Sequence, residues 1–146
     1  MSKYEKYIVR KPLILEELPA HPKGHYPVFM GMEVVPETKV TIHGHWRNKK
    51  TAPPPPDAPT LEPHTHDVDQ IYLCLAEPGA TEVEVTLGDE KHRVESPYAI
   101  YVPAGVVHAI RNTKGIEKPP IASAMILLRP NYGKEYISGK GWRGLV

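Results

Sequence analysis

The chain has 146 residues, with 18 Lys and Arg against 17 Asp and Glu, so its formal net charge is +1. This length suits one domain over residues 1–146 with one hydrophobic core, and it excludes a second catalytic domain. The balanced charge gives no sign of a nucleic-acid or membrane-surface partner, so a small-molecule ligand is expected.

The amino-terminal segment and the cysteine content bear on the compartment. The first 18 residues lack the uninterrupted apolar stretch of a signal peptide, and no part of the sequence approaches the ~20 apolar residues of a membrane-spanning helix. Cys74 is the only cysteine, so the chain forms no internal disulfide. We therefore expect a soluble protein of the reducing cytoplasm.

In chain order, the predicted elements are short β-strands separated by some of the 17 prolines and 11 glycines. The segment 13–18 is compatible with one helical turn or an extended arm, and longer segments with a helical period are nearly absent. An all-β fold follows, either an antiparallel sandwich or a barrel, with its core over about 27–130. The eight predicted strands are 27–35, 38–46, 70–76, 81–87, 91–95, 97–103, 106–112 and 121–129.

Two connections have a distinctive composition. Gly88 and Asp89 separate the strands 81–87 and 91–95, and glycine there supplies the positive φ of a tight hairpin turn. Residues 47–63 contain six prolines, which exclude a sheet ladder and favour an exposed polyproline segment. We favour a solvated spacer over a lid across the pocket, and a Pro-rich partner-binding segment is less favoured.

A pair of histidines precedes the strand 70–76. His64 and His66 are one residue apart, and Gln70 follows four residues later. If the chain stays extended, these three side chains point to the same face, because side chains alternate along a strand. Three nitrogen or oxygen donors on one face can hold a metal ion if a neighbouring strand adds a fourth. The candidate for that fourth ligand is His108, which lies near the start of another predicted strand, after a Pro/Gly turn.

These segments resemble the two motifs of the cupin superfamily. The first motif is H-x-H, then three or four residues, then usually Glu, and residues 64–70 resemble it. The second is P-x-G-x-x-H-x-x-x-N, and residues 103–112 match it without a gap. The second pattern should occur by chance only about once in a few hundred thousand positions. The resemblance implies a cupin-type double-stranded β-helix, or jelly-roll, barrel with an extended amino-terminal arm and a carboxy-terminal tail.

The same resemblance implies one bound divalent metal ion and assigns its ligands. Gly105 and Asn112 correspond to structural parts of the second motif. Manganese, iron, nickel, cobalt and zinc all suit a site of three imidazoles and one oxygen. The ligands that the resemblance implies are His64, His66, Gln70 and His108.

Gln70 is the main departure from the cupin pattern, which usually has Glu there. An amide and three imidazoles are all neutral, so a divalent ion keeps its full +2 charge. That favours Lewis-acid chemistry of the isomerase, lyase or hydrolysis type over redox chemistry with oxygen, although cupin dioxygenases without a carboxylate ligand exist. Ala58 and Pro97 replace two glycines of the family pattern, and both changes concern loop entry.

Three further residues are catalytic candidates. His43 and His45 form a second doublet, but Lys49 takes the position equivalent to Gln70. We interpret the doublet as lining the pocket or the surface rather than binding metal, and one member could be a general base. Tyr72 could orient the substrate through its hydroxyl or simply pack in the core.

The predicted strand 70–76 is apolar on both faces, which suggests a protein partner. Tyr72 and Cys74 are assigned to the inner face, so the outer face needs cover as well. A homodimer formed through one sheet, also common among cupins, would supply it. The arm 1–20 and the tail 131–146 could lie over the partner or the pocket mouth. The outer face consists of Ile71, Leu73 and Leu75.

Two functions of different classes remain open. The preferred one is a metal-dependent enzyme whose ion binds a hydroxy or keto substrate, while His43, His45 or Tyr72 moves a proton. A cupin dioxygenase is an alternative within this class. The other class is a non-catalytic cupin that binds a metal or metabolite as a sensor or store.

Overall fold

The computed structural model describes residues 2–18, 21–58, 61–132, 134–137 and 141–144, the last two ranges by their backbone. Within these ranges the chain forms two six-stranded antiparallel sheets and a single 3-10 turn, Glu5–Tyr7. No helix in this part of the chain is long and apolar enough to cross a membrane.

Strands are numbered in chain order, and each sheet is given in its spatial order. The first sheet contains β1 (Leu13–Leu15), β2 (Tyr26–Met30), β3 (Thr41–Arg47), β10 (Ile121–Leu127), β5 (Gln70–Leu75) and β8 (Tyr98–Val102). The second sheet contains β12 (Gly141–Gly144), β11 (Lys134–Ile137), β4 (His64–Thr65), β9 (His108–Asn112), β6 (Glu82–Leu87) and β7 (Glu90–Glu95).

The two sheets share a hydrophobic core. Tyr72, Ile100 and Val102 from the first sheet pack in one buried cluster with Val85 from the second. On β5 the buried residues alternate with less buried ones, so Gln70, Tyr72 and Cys74 share the inner face. The residues that face the core on this strand therefore also face the space between the sheets.

The predicted all-β fold is confirmed, and each of the eight predicted strands is present with ends that differ by a few residues. The strand 27–35 was predicted too long, because residues after Met30 turn and the amides of Val34 and Val35 donate to the Gly31 carbonyl. Four strands were not predicted, namely β1, β4, β11 and β12.

The predicted hairpin is confirmed. Leu87 and Glu90 are register partners at the ends of β6 and β7, so Gly88 and Asp89 alone form the turn. Gly88 has φ +62°, a conformation that this kind of two-residue turn requires and that side chains disfavour.

Parts of the predicted arm and tail belong to this chain's own sheets. In the arm, Leu13–Leu15 pairs with β2, and in the tail, Lys134–Ile137 pairs with His64 and Thr65. Leu18 packs in a buried cluster with Leu127 and Tyr132. Residues 19–20, 133, 138–140 and 145–146 of these segments lie outside the described residues.

Hydrogen bonds fix the Pro-rich segment 47–63 to the rest of the chain at Thr51, near its start. The Thr51 amide donates to the Ile116 carbonyl (3.1 Å), and the Ile116 amide donates to the Thr51 hydroxyl (2.9 Å). The backbone at Gly115 passes so close to Thr51 that a Cβ at this position would overlap the Thr51 carbonyl oxygen. Pro59 and Thr60 lie outside the described residues. The described part of the segment is mostly exposed, yet it lines the cavity between the sheets.

The chain does not stay extended from His64 to Gln70, so the condition under which the three side chains share one strand face does not hold. β4 belongs to the second sheet and β5 to the first, so the chain changes sheets between them. The carboxylate of Asp69 in this corner accepts hydrogen bonds from the Ala104 amide (2.8 Å) and the Tyr101 hydroxyl. The His66 carbonyl accepts one from the Gly105 amide (2.9 Å). The corner is thus fixed to the turn that precedes His108.

Candidate metal centre

Three buried histidines meet at the inner side of the second sheet. His64 starts β4 and is the register partner of His108, which starts β9, while His66 follows β4 directly. Their side chains are 1%, 1% and 3% exposed, respectively. One ring nitrogen from each lies within 4.8 Å of the others, so small ring rotations would reach the ~3 Å spacing of ligands on one ion.

The backbone fixes the tautomer of two of these imidazoles. His64 Nδ1 lies 2.6 Å from the Glu62 carbonyl oxygen, and His108 Nδ1 lies 2.9 Å from that of Val106. A carbonyl oxygen only accepts hydrogen bonds, so each Nδ1 must carry the proton. The lone pair is then on Nε2, as in histidines that bind metals while their other nitrogen donates to a carbonyl.

Gln70 comes from the first sheet and lines the same cavity between the sheets as His64 and His66. Its side chain is 2% exposed, and its Oε1 has no hydrogen-bond partner among the described residues. The Nε2 atom of His108 is likewise buried without such a partner. Buried polar atoms are nearly always satisfied, since desolvating one without compensation costs about 1–3 kcal/mol. A divalent ion is a group that would satisfy both atoms.

The electrostatics keep two of these imidazoles, those of His64 and His108, neutral. Burial, and then the neighbouring His108, lowers the pKa of His64 from 6.5 to about 2. Burial also lowers the pKa of His108. Imidazole binds metals in its neutral form, so His64 and His108 are in the binding-competent protonation state at neutral pH.

A cavity of about 810 Å³ adjoins the histidines. His64, His66 and Gln70 line it, and so do the three catalytic candidates His43, His45 and Tyr72. His43 and Tyr72 are buried and His45 is partly exposed. Of the residues that the structure describes, the only group of three metal-binding side chains within reach of one another is that of His64, His66 and His108. The His43 and His45 doublet does not belong to it.

Two aromatic residues of this site, His21 and Tyr132, were not predicted from the sequence. The Tyr132 hydroxyl lies 3.3 Å from His21 Nδ1, and the Tyr132 ring stacks on His43 with centroids 5.7 Å apart. Tyr132 also meets the His66 ring edge-on at 5.5 Å. Both residues lie in irregular segments outside any motif, so no sequence signal pointed to them. They connect His43 to the histidine group.

Lowering the pH from 7 to 4 should destabilise the metal-free protein through His43. Burial, then the charges of His21 and His45, lowers the pKa of folded His43 from 6.5 to about 4. The unfolded chain therefore binds a proton that the folded chain resists, and stability is lost as the pH falls from 6.5 towards 4. We expect His43 to account for about 3 kcal/mol of this loss.

Urea unfolding at pH 7 and pH 4 measures this effect when the wild type is compared with His43→Phe, which keeps a ring against Tyr132. The variant should lose about 3 kcal/mol less between the two pH values. Equal losses in both proteins would refute the assignment.

Comparisons with known proteins bear on the fold. No family model matches the sequence, and no curated protein matches it either. Among solved structures, a cupin-like protein from Thermotoga maritima matches with TM-score 0.51 at 11% identity, over 84% of this chain and 82% of that one. A protein from Planctomyces limnophilus matches with TM-score 0.51 at 16% identity, over 85% of this chain and 88% of that one.

An enzyme is also among the similar structures. Hydroxypropylphosphonic acid epoxidase from S. wedmorenis matches with TM-score 0.50 at 14% identity, over 83% of this chain and 56% of that one. The chain thus corresponds to little more than half of that enzyme. At these identities the likeness concerns the fold, and it agrees with the two antiparallel sheets described above. The chain has the cupin fold.

Proposed function

We propose that the protein is a divalent-metal-dependent enzyme that acts on a small oxygenated metabolite by Lewis-acid chemistry. The observation that carries this proposal is the group of three buried imidazoles, whose ligand nitrogens lie within 4.8 Å of one another beside a large cavity. In the proposal, His64, His66 and His108 hold one ion, and Gln70 supplies an oxygen ligand from the opposite sheet.

The ligand set supports Lewis-acid chemistry in particular. All four proposed ligands are neutral, so a bound divalent ion would polarise a carbonyl or hydroxyl oxygen of the substrate with its full charge. Manganese, iron, nickel, cobalt and zinc remain candidates.

His43 is the strongest candidate for moving a proton. It is buried in the cavity wall, and its Nδ1 makes no hydrogen bond to a described residue. Its pKa is lowered to about 4, so at pH 7 the imidazole is in its neutral form, which can accept a proton. His45, on the same face of β3, and Tyr72, beside His108, are the other candidates.

Product formation tests this proposal. Metal-loaded wild type and His108→Ala are incubated with a fractionated metabolite extract, and mass spectrometry identifies compounds that only the wild type converts. His43→Phe should then lower kcat by at least about a hundredfold with an unchanged metal content. Oxygen consumption during turnover would favour the dioxygenase instead. Tight retention of a metabolite without any product would favour a sensor or store.

We also propose that the protein is a cytoplasmic homodimer, formed through the outer face of the first sheet. Trp46 and Leu75 are 66% and 60% exposed there. An exposed apolar area of this kind commonly marks an interaction surface. By strand register, this face includes Ile42, Trp46, Ile71, Leu73, Leu75, Tyr101 and Ile126.

Leu75→Glu should therefore convert the dimer to a monomer, because a desolvated carboxylate would have to enter the interface. Sedimentation velocity measures the change. Lys91→Glu, exposed on the outer face of the second sheet, is the control and should remain dimeric. A wild type that sediments as a monomer would contradict the dimer.

A further inference from the structure

The charged side chains that line the cavity are all positive. They are three arginines and one lysine, and no Asp or Glu is among the described lining residues. By strand register Arg93 and Arg111 are both partners of Glu84, on the outer face of the second sheet. Arg47 is therefore the one arginine of this set that comes from the inner face of a strand. The lining residues concerned are Arg47, Arg93, Arg111 and Lys114.

Three of these four cations are already paired with carboxylates. In each pair a carboxylate oxygen lies within 4 Å of the cation, so the two opposite charges offset one another locally. The pairs are Arg93 with Glu82 (3.4 Å), Arg111 with Glu84 (3.1 Å), and Lys114 with Glu95 (3.6 Å) and Glu117 (3.7 Å).

Arg47 differs from the other three. Its guanidinium makes no hydrogen bond or ion pair with any side chain in the described part of the chain. It ends β3, where alternation places it on the same inner face as His43 and His45. Burial, and then the charge of Arg47, lowers the pKa of His45. One uncompensated positive charge thus lines the cavity.

Arg47 lies some distance along β3 from His43, and this separation bears on the length of a ligand that reaches both. Four residues of extended strand separate it from His43, which amounts to about 13 Å. His43 stacks on Tyr132, and Tyr132 contacts His66 of the proposed metal site. The cavity of about 810 Å³ is within the usual size range for sites that bind a metabolite of this length.

We infer that the ligand of this cavity carries one carboxylate, which Arg47 binds, at the end remote from its metal-binding oxygens. A guanidinium matches a carboxylate with two parallel hydrogen bonds, and one uncompensated cation matches one negative charge. The part of this inference that concerns the metal-binding oxygens rests on the proposed function, because those oxygens would bind the ion held by the histidines. The inference narrows the substrate class to a hydroxy or keto acid with a chain between its two polar ends.

Two matched probes test this inference by titration calorimetry. Suberic acid monohydroxamate has a metal-chelating hydroxamate at one end and a carboxylate at the other, and octanohydroxamic acid has a methyl group in place of the carboxylate. The metal-loaded wild type should bind the carboxylate probe about tenfold more tightly. Arg47→Gln should abolish this difference, and Arg47→Lys should keep part of it.

Lys49→Gln is the matched control. Lys49 is two residues from Arg47 and does not line the cavity, so the substitution removes the same charge outside the proposed site. It should keep the preference for the carboxylate probe. Equal affinity of the two probes for the wild type would overturn the inference, and so would an equal loss in the control. Tighter binding of a phosphonate-ended analogue than of the carboxylate probe would overturn the assignment to a carboxylate.

A metal-free arm separates this inference from the proposed function. Octanoate should raise the Tm of the metal-free wild type more than octan-1-ol does, and Arg47→Gln should remove the difference. If octanohydroxamic acid fails to bind metal-treated protein while octanoate behaves as expected, the metal site is wrong and the carboxylate site stands. If octanoate and octan-1-ol act alike, the carboxylate site is wrong.

Discussion

Replacing His108 by Ala should lower the affinity of the protein for a divalent ion by at least about a hundredfold. The variant removes one of three imidazoles whose ligand nitrogens lie within 4.8 Å of one another. Two imidazoles and an amide would still bind an ion, but they would leave it more solvated and less constrained. Competition with a chromogenic chelator measures the affinity, and circular dichroism checks that the variant is folded.

His92→Ala is the matched control for this substitution. His92 is exposed on β7 and pairs with Glu90, away from the cavity. Its removal should leave the affinity within about twofold of the wild type. If His92→Ala and His108→Ala lose the same affinity, or neither loses any, the ion binds elsewhere.

Leu127→Ala should lower the free energy of unfolding by about 3 kcal/mol, within the range for fully buried leucines. Leu127 is 0% exposed and packs in one cluster with Leu18 and Tyr132. It is also the register partner of Thr41 on one side and of Gln70 on the other. The substitution therefore leaves a cavity at the centre of the first sheet, next to the proposed amide ligand.

Urea unfolding of the metal-free protein measures this loss. Leu128→Ala is the control, because its side chain is the next one along the chain and is 45% exposed. It should cost less than about 1 kcal/mol. Similar losses for the two variants would show that Leu127 does not occupy a close-packed core position.

The strands were predictable because their side chains alternate and because proline and glycine end them. The hairpin at Gly88 and Asp89 was predictable for the same local reason, since glycine tolerates the φ of +62° found there. β4, however, is only two residues long, and its pairing with His108 and with Lys134–Ile137 is non-local. Such pairing leaves no local pattern in the sequence.

The candidate site shows the same division between local and non-local information. The histidines were identified from their spacing, but their geometry depends on the corner at Asp69, which sends Gln70 into the other sheet. A strict alternation argument could not foresee that corner. Tyr132 and His21 were missed because their contact joins residues 111 positions apart.

His64, His66 and His108 should bind one divalent ion, and anomalous diffraction locates such an ion in the crystal. Crystals of protein purified without chelator or affinity tag and loaded with zinc, or in parallel with manganese, are measured at the absorption edge of each metal. One strong peak per chain is expected, about 2.0–2.2 Å from Nε2 of His64 and His108. A loaded crystal with no peak there, or with peaks only at surface residues such as His92, would contradict it.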